Sequence, residues 1–131
     1  LSTFGPYYGD ETSSLDDFEA TLEMVEHLEA RHYVTYHHKG VVDGHDAFVP
    51  AVRTYAAVIE RRSQALLMLL ESPRTFDALV DVGIVYRAGT RPAIFGTAVE
   101  QHTIERHLVR LEQEGRVVAT GAGVAQEWVR A

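Results

Sequence analysis

Apolar positions recur at helical spacing over four stretches of this chain and alternate in strand fashion only near its end. Leu15, Phe18, Leu22, Val25 and Leu28 mark an amphipathic helix that starts after Ser14, an N-cap with Asp17 as capping-box partner, and runs to about residue 30. Residues 31–36 (Arg-His-Tyr-Val-Thr-Tyr) are rich in β-branched and aromatic side chains and read as a short strand that ends in the turn His37-His38-Lys39-Gly40. A second long helix spans about 46–71 through Val49, Val52, Tyr55, Ile59, Leu66 and Leu69; Pro50 fits only its first turn, which moves the expected start to 47–49. Beyond Ser72-Pro73 the pattern predicts a short helix over 75–85 and a Gly/Pro-punctuated loop over 88–96. A longer helix then runs from Thr97, with Glu100 completing a capping box, to a C-cap at Gly115. Residues 116–120, Gly121-Ala122-Gly123 and 124–129 have the pattern of a β-hairpin. Helix, helix, helix, hairpin is the order of a winged helix-turn-helix.

Charge separates the same two regions. Residues 1–71 hold 12 acidic and 5 basic side chains and residues 72–131 hold 7 and 7, so the net charge of -7 belongs wholly to the first part. The expected fold is therefore α+β and mostly helical, in two parts, 1–71 and 72–131, with the break near 71–74. A chain of 131 residues without cysteine excludes disulfide scaffolds, thiolate zinc sites and cysteine nucleophiles. Its longest strongly apolar run, 65–70, is too short to span a bilayer, and no secretory signal opens the sequence, so the expectation is a cytoplasmic protein with no membrane partner. The start at Leu1 rather than methionine reads as a piece of something longer.

Candidate chemistry rests on histidines and carboxylates. His37-His38 is the sharpest feature, since imidazoles at a strand end sit where α/β folds place ligands, although adjacent extended residues point opposite ways. His45 with Asp43 and Asp46 reads as a polar loop ahead of a helix rather than a second metal cluster. His102 and His107, five apart, do not share a helix face and read as solvated or packing residues. No Gly-x-Ser-x-Gly elbow or phosphate-cradling loop occurs. Arg106, Arg110 and Arg116 could share one face, but Glu100, Glu105, Glu112 and Glu114 offset them, so nucleic acid is a disfavoured partner.

Two stretches together resemble the C-terminal part of a metallo-β-lactamase-fold hydrolase. They are Gly5-Pro6-Tyr7-Tyr8-Gly9-Asp10, followed by Ser13-Ser14-Leu15-Asp16-Asp17-Phe18 and its helix, and the strand ending in a histidine turn. The resemblance implies that residues 1–71 are a helix-strand-helix remnant of the catalytic sandwich and 72–131 a winged-helix-like domain. It implies that His38, with His37 as the alternative, is the last ligand of a binuclear site holding zinc or another divalent metal, and that Tyr7 and Tyr8 are loop residues for substrate contact. The site would act on an ester, thioester or phosphoester. Lys39 stands where the family carries glycine. The family's His-x-His-x-Asp-His motif is not in this chain, so no residue here is assigned a catalytic role and no tightly bound metal is expected. The implied partners are an N-terminal catalytic half and, because a partial sandwich leaves apolar surface uncovered, a second copy of the chain.

Overall fold

The computed structural model describes every residue except Thr3, His37, His38, Lys39 and Ala88. Among the described residues the protein is α+β, with about half of them helical, in four α-helices and two small antiparallel sheets. Internal packing divides the chain into two compact units, one of Leu1–Tyr8 with Ser13–Arg61 and one of Gly9–Thr12 with Arg62–Ala131. This division falls inside the second helix, which ends shortly before Ser72-Pro73.

In the first unit, helix α1 (Leu15–Glu26) begins where the cap chemistry places it: the Ser14 hydroxyl accepts the Asp17 N–H at 3.2 Å. It stops earlier than the apolar spacing predicts. The Tyr33 hydroxyl accepts the Ala30 N–H and donates to the Leu28 carbonyl, which occupies backbone groups that a longer helix would use. Strand β1 (His32–Val34) pairs with β2 (Val41–Asp43), in the register Tyr33↔Val42. The second strand is absent from the sequence reading; Gly40 (φ 65°) and Gly44 (φ 81°) supply the left-handed corners at its ends.

Helix α2 (His45–Leu69) starts ahead of the expected 47–49 and carries Pro50 within it. The proline ring removes a single intrahelical bond. What holds the early turn is packing: Phe48 lies ring on ring with Tyr33 at 3.7 Å between centroids, and both join Val52 in an apolar cluster. A second cluster of Tyr8, Leu15 and Ile59 is closed by Phe18 and Leu22.

The second unit contains the end of α2, strand β3 (Arg74–Thr75), helix α3 (Phe76–Val82), helix α4 (Gly96–Gln113), and strands β4 (Val117–Thr120) and β5 (Glu127–Arg130). The expected hairpin forms as β4 and β5. A short unpredicted strand, β3, adds to it, giving the sheet order β3-β5-β4. Helix α3 ends at Gly83 (φ 76°), short of the expected 85. Helix α4 ends in a Schellman turn: Arg116 N–H reaches the Leu111 carbonyl, Gly115 N–H reaches Glu112, and Gly115 has φ 69°. Leu66, Leu70, Leu79, Ile104 and Leu111 form the heart of this unit's core, each with 0% exposure.

Candidate functional site

The histidine pair at the end of β1 lies outside the described residues, so both His38 and its alternative His37 remain expectations. The β1–β2 hairpin is closed where the Thr35 N–H and hydroxyl both donate to the Gly40 carbonyl at 2.8 Å. At its other end His32 Nδ1 lies 2.7 Å from Asp43 Oδ1, across the His32↔Asp43 pair of the ladder. His45 turns away from both acids: its Nε2 is 3.1 Å from the Glu26 carbonyl and its ring tilts against Tyr33. Asp43 thus pairs with His32, and His45, Asp43 and Asp46 do not converge. Among the described residues no three His, Asp or Glu side chains are grouped to hold a metal. Beside the same helix end, the Arg53 guanidinium binds Glu26 Oε1 and holds that carboxyl below the ordinary carboxylate range.

The two loop tyrosines differ. Tyr8 is 1% exposed, seated on Leu15 and Ile59 with its ring edge against Phe18, whereas Tyr7 is exposed. The substrate-contact role that the resemblance implies for both remains an expectation.

In the second unit, the polar residues that interrupt the apolar face of α4 are buried. Glu100, Thr103 and His107 follow at i, i+3 and i+7 and share one side of the helix. Thr97 and Glu100 do not form the expected capping box. Thr97 lies inside α4, the N-cap Phe95 offers no side-chain bond, and the Glu100 carboxylate instead accepts the N–H groups of Ile84, Val85 and Tyr86 at 2.9–3.2 Å. These three donors follow the end of α3, where a loop must otherwise bury unpaired backbone. Burial, and then the Glu100 charge, raise the Tyr86 hydroxyl above its usual range.

His107 is fully buried, its Nδ1 2.9 Å from the Ser63 hydroxyl. Burial, helped by the positive charges of Arg62 and Arg110, lowers its pKa to about 3 and keeps the ring neutral. A serine beside a neutral imidazole has the vocabulary of a nucleophile and base, but both side chains are enclosed and substrate cannot approach them. The pair is a core hydrogen bond.

The arginines of α4 are also engaged. Arg106 donates to the His102 carbonyl at 2.7 Å, to the Glu11 carbonyl at 2.9 Å and to the Asp10 carbonyl. Arg116 lies 3.1 Å from Glu114. The exposed part of this unit has another character, a groove of about 320 Å³ lined by Phe76, Glu105, Leu108, Val109, Glu112 and Trp128. Pattern reading missed it because Phe76 and Trp128 come from separate elements and meet only through the β3–β5 ladder. No helix among the described residues is long and apolar enough to cross a membrane. No protein-family model and no curated protein matches the chain.

Proposed function

We propose that this chain is the C-terminal portion of a metal-dependent hydrolase of the metallo-β-lactamase superfamily, in which residues 1–71 close the catalytic domain and 72–131 form a winged-helix-like domain. The observation that carries the reading is the order of elements around the quoted motifs. A capped helix, a strand leading into His37-His38 and a long helix are followed by helix, helix and hairpin, with β3 added to the hairpin's edge.

In this reading His38, or His37 in its place, contributes one ligand, and Tyr7 is the loop residue open to substrate. In this reading the remaining ligands come from the family's His-x-His-x-Asp-His motif, which is not in this chain. When bound, zinc or another divalent metal would supply a water ionised near neutral pH for attack on an ester, thioester or phosphoester. This chain's own part is to hold one imidazole on a hairpin that Thr35 and Gly40 close.

The decisive experiment extends the polypeptide upstream. The coding sequence before Leu1 should specify His-x-His-x-Asp-His, and the extended protein should bind zinc and hydrolyse a model ester or phosphodiester, with H38A or H37A lowering both. The isolated chain should hold little zinc. An upstream sequence without that motif, or stoichiometric zinc with esterase activity in the isolated chain, would overturn the reading.

A DNA-reading role for the second unit is the weaker alternative. Arg106 is held by backbone carbonyls, and the exposed charges of α4 at Glu105 and Glu112 repel phosphate. A mobility-shift titration over a salt series separates the two, because a DNA reader would bind with a constant that falls steeply with salt.

A further inference from the structure

The geometry points to the groove on the second unit as a docking site for an extended peptide segment in which an apolar side chain lies midway between two cationic residues spaced four apart. Leu108 and Val109 of α4 form the floor, and Phe76 at the start of α3 and Trp128 of β5 form the wall. The two aromatic rings are held against each other at 6.3 Å, and the indole is fixed because its Nε1–H donates to Glu112 Oε1 at 2.7 Å. Val109 is 49% exposed, a large aliphatic side chain facing solvent inside a concave site.

Charge and size together define the occupant. The charged side chains lining the groove are both carboxylates, Glu105 and Glu112, and His102 Nδ1 lies 3.9 Å from Glu105. Seven residues apart on α4, the two acids stand about 10 Å apart along the helix. That separation is far too great for one cation to bridge, which excludes a chelated metal. Successive extended side chains point to opposite faces, so two cations and an apolar anchor that all face the groove stand at i, i+2 and i+4, and the flexible stems of Arg or Lys bring their charged heads onto acids about 10 Å apart. A volume of about 320 Å³ is at the low end of ligand pockets and accepts an anchor side chain rather than a cofactor. A partner helix, about 10 Å across with its side chains, does not enter it. Arginine suits the acids best, since its planar fork meets a carboxylate with two donors. The inference stands on this groove and does not depend on whether His38 holds a metal.

The test pans a displayed random-peptide library against the full chain, with the E105K/E112K double variant as counter-target. Recovered peptides should carry two Arg or Lys residues four apart with an apolar residue midway between them. Synthetic copies should perturb the fluorescence of Trp128, the sole tryptophan of the chain. They should bind the wild type at least about tenfold more tightly than E105K or V109E, and weaken as salt is raised, as expected for contacts screened over about 10 Å at 0.1 M. Residues 105 and 109 are both exposed, and unchanged far-UV circular dichroism of these variants confirms that they fold. Failure to recover any binder overturns the proposal. So does recovery of cation-free peptides, of peptides that bind E105K and V109E equally well, or of a duplex DNA that competes for the same face.

Discussion

Glu100→Gln should cost this protein far more than a helix cap does. The carboxylate has 0% exposure and collects three consecutive backbone donors, Ile84 on Oε2, Tyr86 on Oε1 and Val85 shared between the two. Glutamine keeps the shape but replaces one acceptor by an NH2 group, which turns a donor toward a donor. One buried N–H then loses its partner, at about 1–3 kcal/mol. The remaining bonds fall from the charged to the neutral range, about 1 kcal/mol each. Against this, burying a neutral amide costs less than burying a carboxylate, so a net loss of about 2–4 kcal/mol is expected.

Urea unfolding followed by Trp128 fluorescence and by circular dichroism measures that loss, and limited proteolysis over residues 84–90 should report the loosened loop. Glu105→Gln, on the exposed side of the same helix, is the control and should stay within about 0.5 kcal/mol of wild type. Were Glu100 only the capping-box partner of Thr97, its neutralisation would cost about 1 kcal/mol or less and the 84–90 loop would keep its protection. That outcome would refute the role assigned to the carboxylate.

Three further outcomes are expected. Gly83→Ala should destabilise and couple to position 100, because its φ is 76° and a Cβ there would lie 2.5 Å from Glu100 Oε1; in a double-mutant cycle G83A should cost less on an E100A background, and strict additivity would count against the contact. His107 should make the protein acid-sensitive. The folded ring takes a proton only near pH 3 and the unfolded one near 6.5, so between those values the unfolded state binds more protons and stability falls as pH falls, by up to about 1.4 kcal/mol per pH unit. The gap in urea midpoint between wild type and His107→Leu should therefore narrow from pH 7.5 to pH 5, and a gap that does not change with pH would remove the histidine from the account. Val34 and Val41 are register partners and both exposed, 84% and 59%, so V34K/V41K should reduce any self-association seen by light scattering; an unchanged mass distribution would mean that this sheet face is not what joins the copies.

What could be read from the sequence was whatever is decided within a turn or two of chain. Ser14 caps α1 because its hydroxyl needs only the N–H three residues on, and Gly115 ends α4 because only the local φ matters. The misreadings concern choices made across space. Residues 41–43 are too short a stretch to show a strand pattern; they are a strand because Tyr33 and its neighbours pair with them. Pro50 argues for a later helix start until Phe48, stacked on Tyr33, provides a reason to begin at His45. The burial of Tyr8 is likewise decided across space, since nothing within the loop reveals that Leu15 and Ile59 enclose it.

Helix α4 shows what charge counting along a sequence leaves out. Four glutamates against two arginines argue against a phosphate-binding face only if all six side chains share that face. They do not: Glu100 is consumed inside by the 84–86 backbone, and Arg106 is half-buried on the carbonyls of residues 10, 11 and 102. Removing both leaves Glu105, Glu112 and Glu114 against the partly exposed Arg110, with Glu105 and Glu112 set about an apolar groove. One acid and one base are withdrawn together, so the balance of the helix stays acidic. The same rearrangement turns an acidic helix surface into a site with an anchor pocket, and such a surface selects for cations rather than merely excluding anions.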